Sequence, residues 1–184
     1  MRLTFITGNM HKLEEAREAL IPLSIEFDHD DGGYTEIQSD SLEEIALHGV
    51  QEGCRRLNRA VFVEDAGLFI HALDGFPGPY SAYVFRTLGN AGILRLMEGT
   101  SNRRAHFESC MAFSAPDHPP VAFMGRVDGV IAQKERGAFG FGFDPIFEVG
   151  EKAFAELSTS EKCKSSHRAR ALVKLASFLK ELKG

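Results

Sequence analysis

The stretch Val61–Val84, VFVEDAGLFIHALDGFPGPYSAYV, decides how this chain is read. Val61 to Val63 is apolar and β-rich as a buried strand is, and it ends in two adjacent carboxylates, Glu64 and Asp65, before a glycine- and proline-rich loop. Two like charges at a strand end repel, and both stay ionised at neutral pH only where solvent or a cation compensates. Mg2+ is the economical cation, because it prefers oxygen ligands and commonly takes one or two carboxylates with waters and substrate phosphates. Glu36, in YTEIQSD, offers a third carboxylate from another loop. The plainer alternative, solvated loop acids, is the commoner state of such residues.

Toward the N-terminus, Arg2 to Ile6 reads as a short strand and TGN as a turn. A helix follows, with Leu13, Ala16 and Leu20 on one face and an end at Pro22. A second strand is predicted near Ser24 to Phe27, before an exposed polar loop. Ser41 and Glu44 form a capping-box pattern ahead of a helix whose apolar face carries Leu42, Ile45, Ala46, Leu47 and Val50. Toward the C-terminus, NAGILRLMEG reads as a short helix that stops at Gly99. Alternation from Arg104 to Val130, around DHPP, reads as two long antiparallel strands. Ser165 or Ser166 caps a last helix with Leu172, Leu175, Ala176 and Leu179 on its apolar side. Parallel and antiparallel pieces together give an α/β fold with a mixed sheet.

A length of 184 residues, 43% hydrophobic and 26% charged, suits one globular domain over 1–184 and argues against extensive disorder. No run approaches the roughly 18 apolar residues of a membrane span, and the N-terminal segment turns polar too early for a signal peptide. A cytoplasmic, membrane-independent protein is expected. Cys54, Cys110 and Cys163 are scattered without metal-like spacing and read as reduced thiols. The net charge of -5 offers no global attraction for nucleic acid, so no nucleic-acid partner is expected, although a local basic cleft could hold a smaller anion.

Three further segments can carry chemistry. TGNMHK, Thr7 to Lys12 (Thr7, Gly8, Asn9, Met10, His11, Lys12), lies between strand and helix, where backbone N–H groups, the helix dipole and a lysine can meet a phosphate. It lacks the P-loop pattern, and a structural turn is the alternative. ERGAFGFGFDPIFEV alternates glycine with aromatic residues, which suits stacking a planar base or, alternatively, a packed turn. Lys162, His167 and Arg168, in STSEKCKSSHRARAL, gather phosphate-binding side chains near the start of the last helix.

In this order, TGNMHKLEE, EIQSDSLEEIA, VEDAGLFIHALDGFPGPYSAYVFRTLG, RRAHFES, GFGFDPIF and FAELSTSEKCKSSHRARAL span nearly the whole chain. The sequence resembles the inosine triphosphate pyrophosphatase family, and SAYVFRTLGNAGILRLMEG looks most like its archaeal members. The resemblance implies an elongated mixed sheet with two lobes, a nucleotide cleft between them, Mg2+ dependence, a homodimer, and conversion of deaminated purine triphosphates (ITP, dITP, XTP) into monophosphate and pyrophosphate. On that reading Glu36, Glu64 and Asp65 bind metal and Asp65 is the base for the attacking water. Thr7 to Lys12, Lys162 and Arg168 hold phosphates, while Phe141, Gly142, Phe143, Asp144 and His167 form the base site. The chain departs from the family's usual serine at Ala66, beside the phosphates, and from its usual asparagine at Cys163. A related pyrophosphatase of the Maf type and a nucleotide-binding regulator without turnover are the alternative functions.

Overall fold

The computed structural model describes residues 2–182. β1 (Leu3–Ile6) leads through a turn into α1 (Met10–Leu20), which buries Leu13, Ala16 and Leu20 as their spacing requires. The predicted strand at Ser24 to Phe27 is displaced to β2 (Asp28–Asp30), because Ser24 turns left-handed (φ 61°) and only the later residues reach β1 in parallel register. α2 (Leu42–Leu57) starts at Ser41, whose side chain accepts from the Glu44 amide, although the Glu44 carboxylate turns to Ser39 rather than back to Ser41.

The largest difference lies in β3, which spans Ala60–Ile70 instead of stopping at the acids. Val61 through Ile70 pair residue by residue with Ser114 through Ala105, so cross-strand packing carries the strand through the Ala66-Gly67 break. β4 (Pro77–Gly78), α3 (Ser81–Thr87) and α4 (Gly89–Leu96) follow. Then come the long hairpin of β5 (Arg104–Ala115) and β6 (His118–Ile131), and the small strands β7 (Phe147–Val149) and β8 (Lys152–Ala153). α5 (Thr159–Lys162) and α6 (His167–Glu181), N-capped by Ser166, close the chain.

The eight strands form one mixed sheet in the order β2-β1-β3-β5-β6-β7-β8, with β4 on the edge of β3. Two hydrophobic cores occupy opposite ends of its long strands. One takes Phe62, Met111 and Phe113 with α1 and α6. The other takes Leu68, Ile70, Ala105 and Phe107 with Ile93 and Phe147. A third core, Val61, Val63, Cys110 and Ala112 against α2, covers the other face. β1 pairs with β3 only as far as Phe62, and β4 begins at Leu68, so neither strand covers the β3 edge at Val63 to Gly67. Among the described residues no helix is long and apolar enough to cross a membrane.

Candidate active site

The uncovered edge of β3 opens into a cleft of about 550 Å3. Successive strand residues face opposite sides of a sheet, so Glu64 and Asp65 leave this edge in opposite directions. Glu64, with 0% side-chain exposure, joins the side of α1, α5 and α6. Its Oε1 accepts from Ser109 Oγ at 2.8 Å and Arg168 Nε at 2.9 Å, and Lys12 Nζ lies 2.8 Å from Oε2. Burial pushes the Glu64 carboxyl upward, but Arg168 and Lys12 outweigh it and hold the group well below the usual carboxylate range. It is a charged partner of two cations, while its Oε2, like Asp65 Oδ2, has no hydrogen-bond partner among the described residues.

Asp65 faces the opposite way, toward Tyr34 and the loop of Glu36. Burial, with repulsion from Glu64 and Glu36 and against the pull of Lys12, raises its carboxyl to about 7. Its Oδ2 is buried without a hydrogen-bond partner among the described residues. The same surroundings, burial first and then the three acids, keep the Tyr34 phenol protonated. Asp65 and the exposed Glu36 therefore remain available to a cation on this side of the cleft, and among the described residues no three His, Cys, Asp or Glu side chains form a metal-binding group. One or two carboxylates suffice for Mg2+ that also takes waters and phosphate oxygens, so the donor set fits that ion.

The opposing wall is an ion network. Lys162 Nζ lies 2.9 Å from Glu15 Oε1 and 2.7 Å from Asp144 Oδ2, while Arg168 spans Glu15 and Glu64. Lys162 and Arg168 keep only 3% of their side-chain surface exposed. Asp144 Oδ2 also accepts from the Phe141 amide at 2.8 Å and so sets the turn of the Gly/Phe segment. His167, the first residue of α6, stacks on Phe107 at 4.7 Å and 11°. Burial, reinforced by Arg168, keeps its ring neutral, and Nδ1 has no partner among the described residues.

Thr7, Gly8, Asn9 and Lys12 line the cleft, but Met10 and His11 do not. Met10 points to solvent, and His11 stacks on the Phe141 ring at 5.1 Å and 8°. The Asn9 side chain accepts from the amides of His11 and Lys12, which ties up part of the helix start that the sequence offers to phosphate. Gly8 has no left-handed φ, and a Cβ there would meet nothing within 4 Å, so the lack of a side chain serves the open space in front of it. Ala66 and Phe141 to Asp144 line the cleft as expected. Cys163 lies outside it, its thiol 3.6 Å from the Glu15 carbonyl, so the departure there does not face a ligand. Tyr34, Ser81, Phe85, Arg86 and Phe107 also line it, and Glu15 supports it from behind. None of these leaves a signal in the sequence: Glu15 reads there as one of the charges off the apolar face of α1, and its burial is a finding of the structure.

Carboxylates without ion pairs among the described residues on one side, buried cations on the other and an aromatic wall define the class: an α/β protein whose open sheet edge has the chemistry to suit an anionic ligand with a planar group. The chain belongs to the Ham1 family, which it matches over residues 3–178. It is similar to the dITP/XTP pyrophosphatase of Methanopyrus kandleri, at 51% identity over 98% of this chain and 97% of that protein. The dITP/XTP pyrophosphatase of Thermococcus kodakarensis is 50% identical over 98% of each. Among solved structures, a HAM1 protein from Coxiella burnetii matches with a TM-score of 0.84 at 31% identity, over 98% of this chain and all of that one. The Ham1 protein of Staphylococcus aureus matches with a TM-score of 0.83, also at 31% identity, over 98% of this chain and 99% of that one.

Proposed function

We propose that this chain hydrolyses deaminated purine nucleoside triphosphates (ITP, dITP and XTP) to the monophosphate and pyrophosphate, clearing them from the nucleotide pool. The observation that carries the reading is the buried Oδ2 of Asp65, without a hydrogen-bond partner among the described residues, on a carboxyl raised to about 7 that lines the cleft. The dITP/XTP pyrophosphatase activity for which the archaeal relatives are named points the same way. In this mechanism a water oxygen attacks the α-phosphorus, Asp65 takes its proton, and the bond from the α-phosphorus to the bridging oxygen breaks with release of pyrophosphate. Mg2+, which Asp65 and Glu36 would hold, neutralises charge on the phosphate oxygens when bound.

Lys12 and the Gly8 opening receive the phosphates, and Phe141 to Phe143 flank the base. With its proton on Nδ1, neutral His167 donates to a 6-oxo group, whereas the 6-amino group of adenine leaves two donors facing each other. The reading includes a homodimer in the cytoplasm. Support for the dimer is the exposed apolar surface of Phe76, Tyr80, Tyr83 and Leu88, and equilibrium sedimentation tests it. The activity is tested by pyrophosphate release from ITP, dITP, XTP, ATP and GTP, with Mg2+ and with chelator. Mg2+-dependent release favouring the deaminated purines is expected, and no release from any of them defeats the proposal.

A further inference from the structure

Four permanent cations line the cleft, and three already face protein carboxylates: Lys12 meets Glu64, Lys162 meets Glu15 and Asp144, and Arg168 meets Glu15 and Glu64. The fourth is Arg86 on α3. It is exposed, and among the described residues it makes no ion pair or side-chain hydrogen bond, unlike the other three. We infer that Arg86 is a substrate-binding residue whose guanidinium donates to the triphosphate, an inference that rests on the nucleotide reading of this cleft.

The argument is one of competing partners. For Lys162 or Arg168 to grip a phosphate fully, a buried pair must open and leave Glu15, Asp144 or Glu64 uncompensated in a dry site. Arg86 breaks nothing when it binds. Its helix is also held in place: Ser81 Oγ donates to the Gly78 carbonyl at 2.7 Å and accepts from the Leu68 amide at 2.8 Å, which pins the start of α3 to β3. Phe85 meets Phe143 edge-on at 5.4 Å and 89°, which fixes α3 against the base wall. Ala82 and Arg86, four apart on one helical face, both look into the cleft. Small Ala82 leaves the room through which a planar, forked guanidinium reaches two phosphate oxygens at once. Lys162 and Arg168 then shape the pocket and balance its buried acids, and Arg86 supplies charge that no carboxylate among the described residues cancels.

Calorimetric titration with the non-hydrolysable α,β-methylene analogue of ITP, and separately with inosine, tests this in the wild type, Arg86→Ala and Arg86→Lys. Arg86→Ala should weaken the triphosphate analogue about tenfold or more, and leave inosine within about twofold. Arg86→Lys should recover part of the loss, because it restores charge without the fork. Because Arg86 is exposed, the melting temperature should stay unchanged. Equal affinity of wild type and Arg86→Ala for the analogue overturns the assignment, as does an equal loss for inosine. A wild-type protein that binds neither the analogue nor inosine overturns the nucleotide reading, and the role of Arg86 with it.

Discussion

Glu64 and Asp65 are consecutive on β3 and titrate in opposite directions: Lys12 and Arg168 hold the first well below the usual carboxylate range, and burial raises the second to about 7. The gap in strand pairing at the β3 edge makes this possible. It leaves both adjacent acids on the open edge of one strand, Glu64 paired with two cations and Asp65 without an ion pair among the described residues.

Asp65→Asn should keep the fold and lose most turnover, since asparagine preserves shape but can neither take a proton nor offer a charged ligand. A raised folded-state value means that the metal-free native protein holds a proton the unfolded chain has released. Stability should therefore be fully present below about pH 4 and fall by about 1.4 kcal/mol per pH unit up to about pH 7 on account of this group. Urea melts in chelator across that range should show Asp65→Asn gaining on the wild type as pH rises. Parallel curves would mean that Asp65 is not strained.

Glu64→Gln should behave in the opposite sense. Arg168 and Lys12 lose their shared countercharge, and breaking one buried partner of such a pair costs about 3–5 kcal/mol. Thermal unfolding at neutral pH should show a large drop in midpoint, where Asp65→Asn shows none.

Glu15→Gln should lower stability, although Glu15 lies outside the cleft lining. It is the shared acceptor of Lys162 and Arg168, and through them it joins α1 to α5 and α6. A cost of about 3–5 kcal/mol in denaturant melts is expected. An unchanged midpoint would show that the network relaxes around the loss.

Gly8→Ala separates open space from backbone need. Neither its φ nor its neighbours require glycine, so the folded protein should melt within about 0.5 kcal/mol of the wild type. Triphosphate affinity should fall by a decade or more, which is about 1.4 kcal/mol. Gly125→Ala is the contrasting case, because its Cβ would lie 2.1 Å from the His167 carbonyl and push α6 off β6. That variant should lose stability and binding together.

The sequence carried the periodic elements well. The Leu13, Ala16, Leu20 face, the Ser41 cap and the alternating hairpin from Arg104 all form as read, because each is local. The continuation of β3 was not legible, since Ala66-Gly67 looks like the start of a turn. Glycine stands at 67 because the Gly78 carbonyl approaches to 2.3 Å of where a Cβ would be. α3 was hidden in an aromatic, proline-flanked stretch of poor helix propensity and is set by the Ser81 anchor instead. The acids, the TGN turn, the Gly/Phe segment and the basic cluster were legible as separate motifs. The pairing of the cations with Glu15 and Asp144, across 147 and 18 residues of chain, was not.

Turnover of inosine triphosphate with Mg2+ in 18O-labelled water, followed by mass spectrometry of the products, tests the central claim most directly. Attack at the α-phosphorus with Asp65 as base places one labelled oxygen in the monophosphate and none in the pyrophosphate, and Asp65→Asn should form neither product at a comparable rate. Label in pyrophosphate or free phosphate, or unimpaired turnover by Asp65→Asn, would contradict the account.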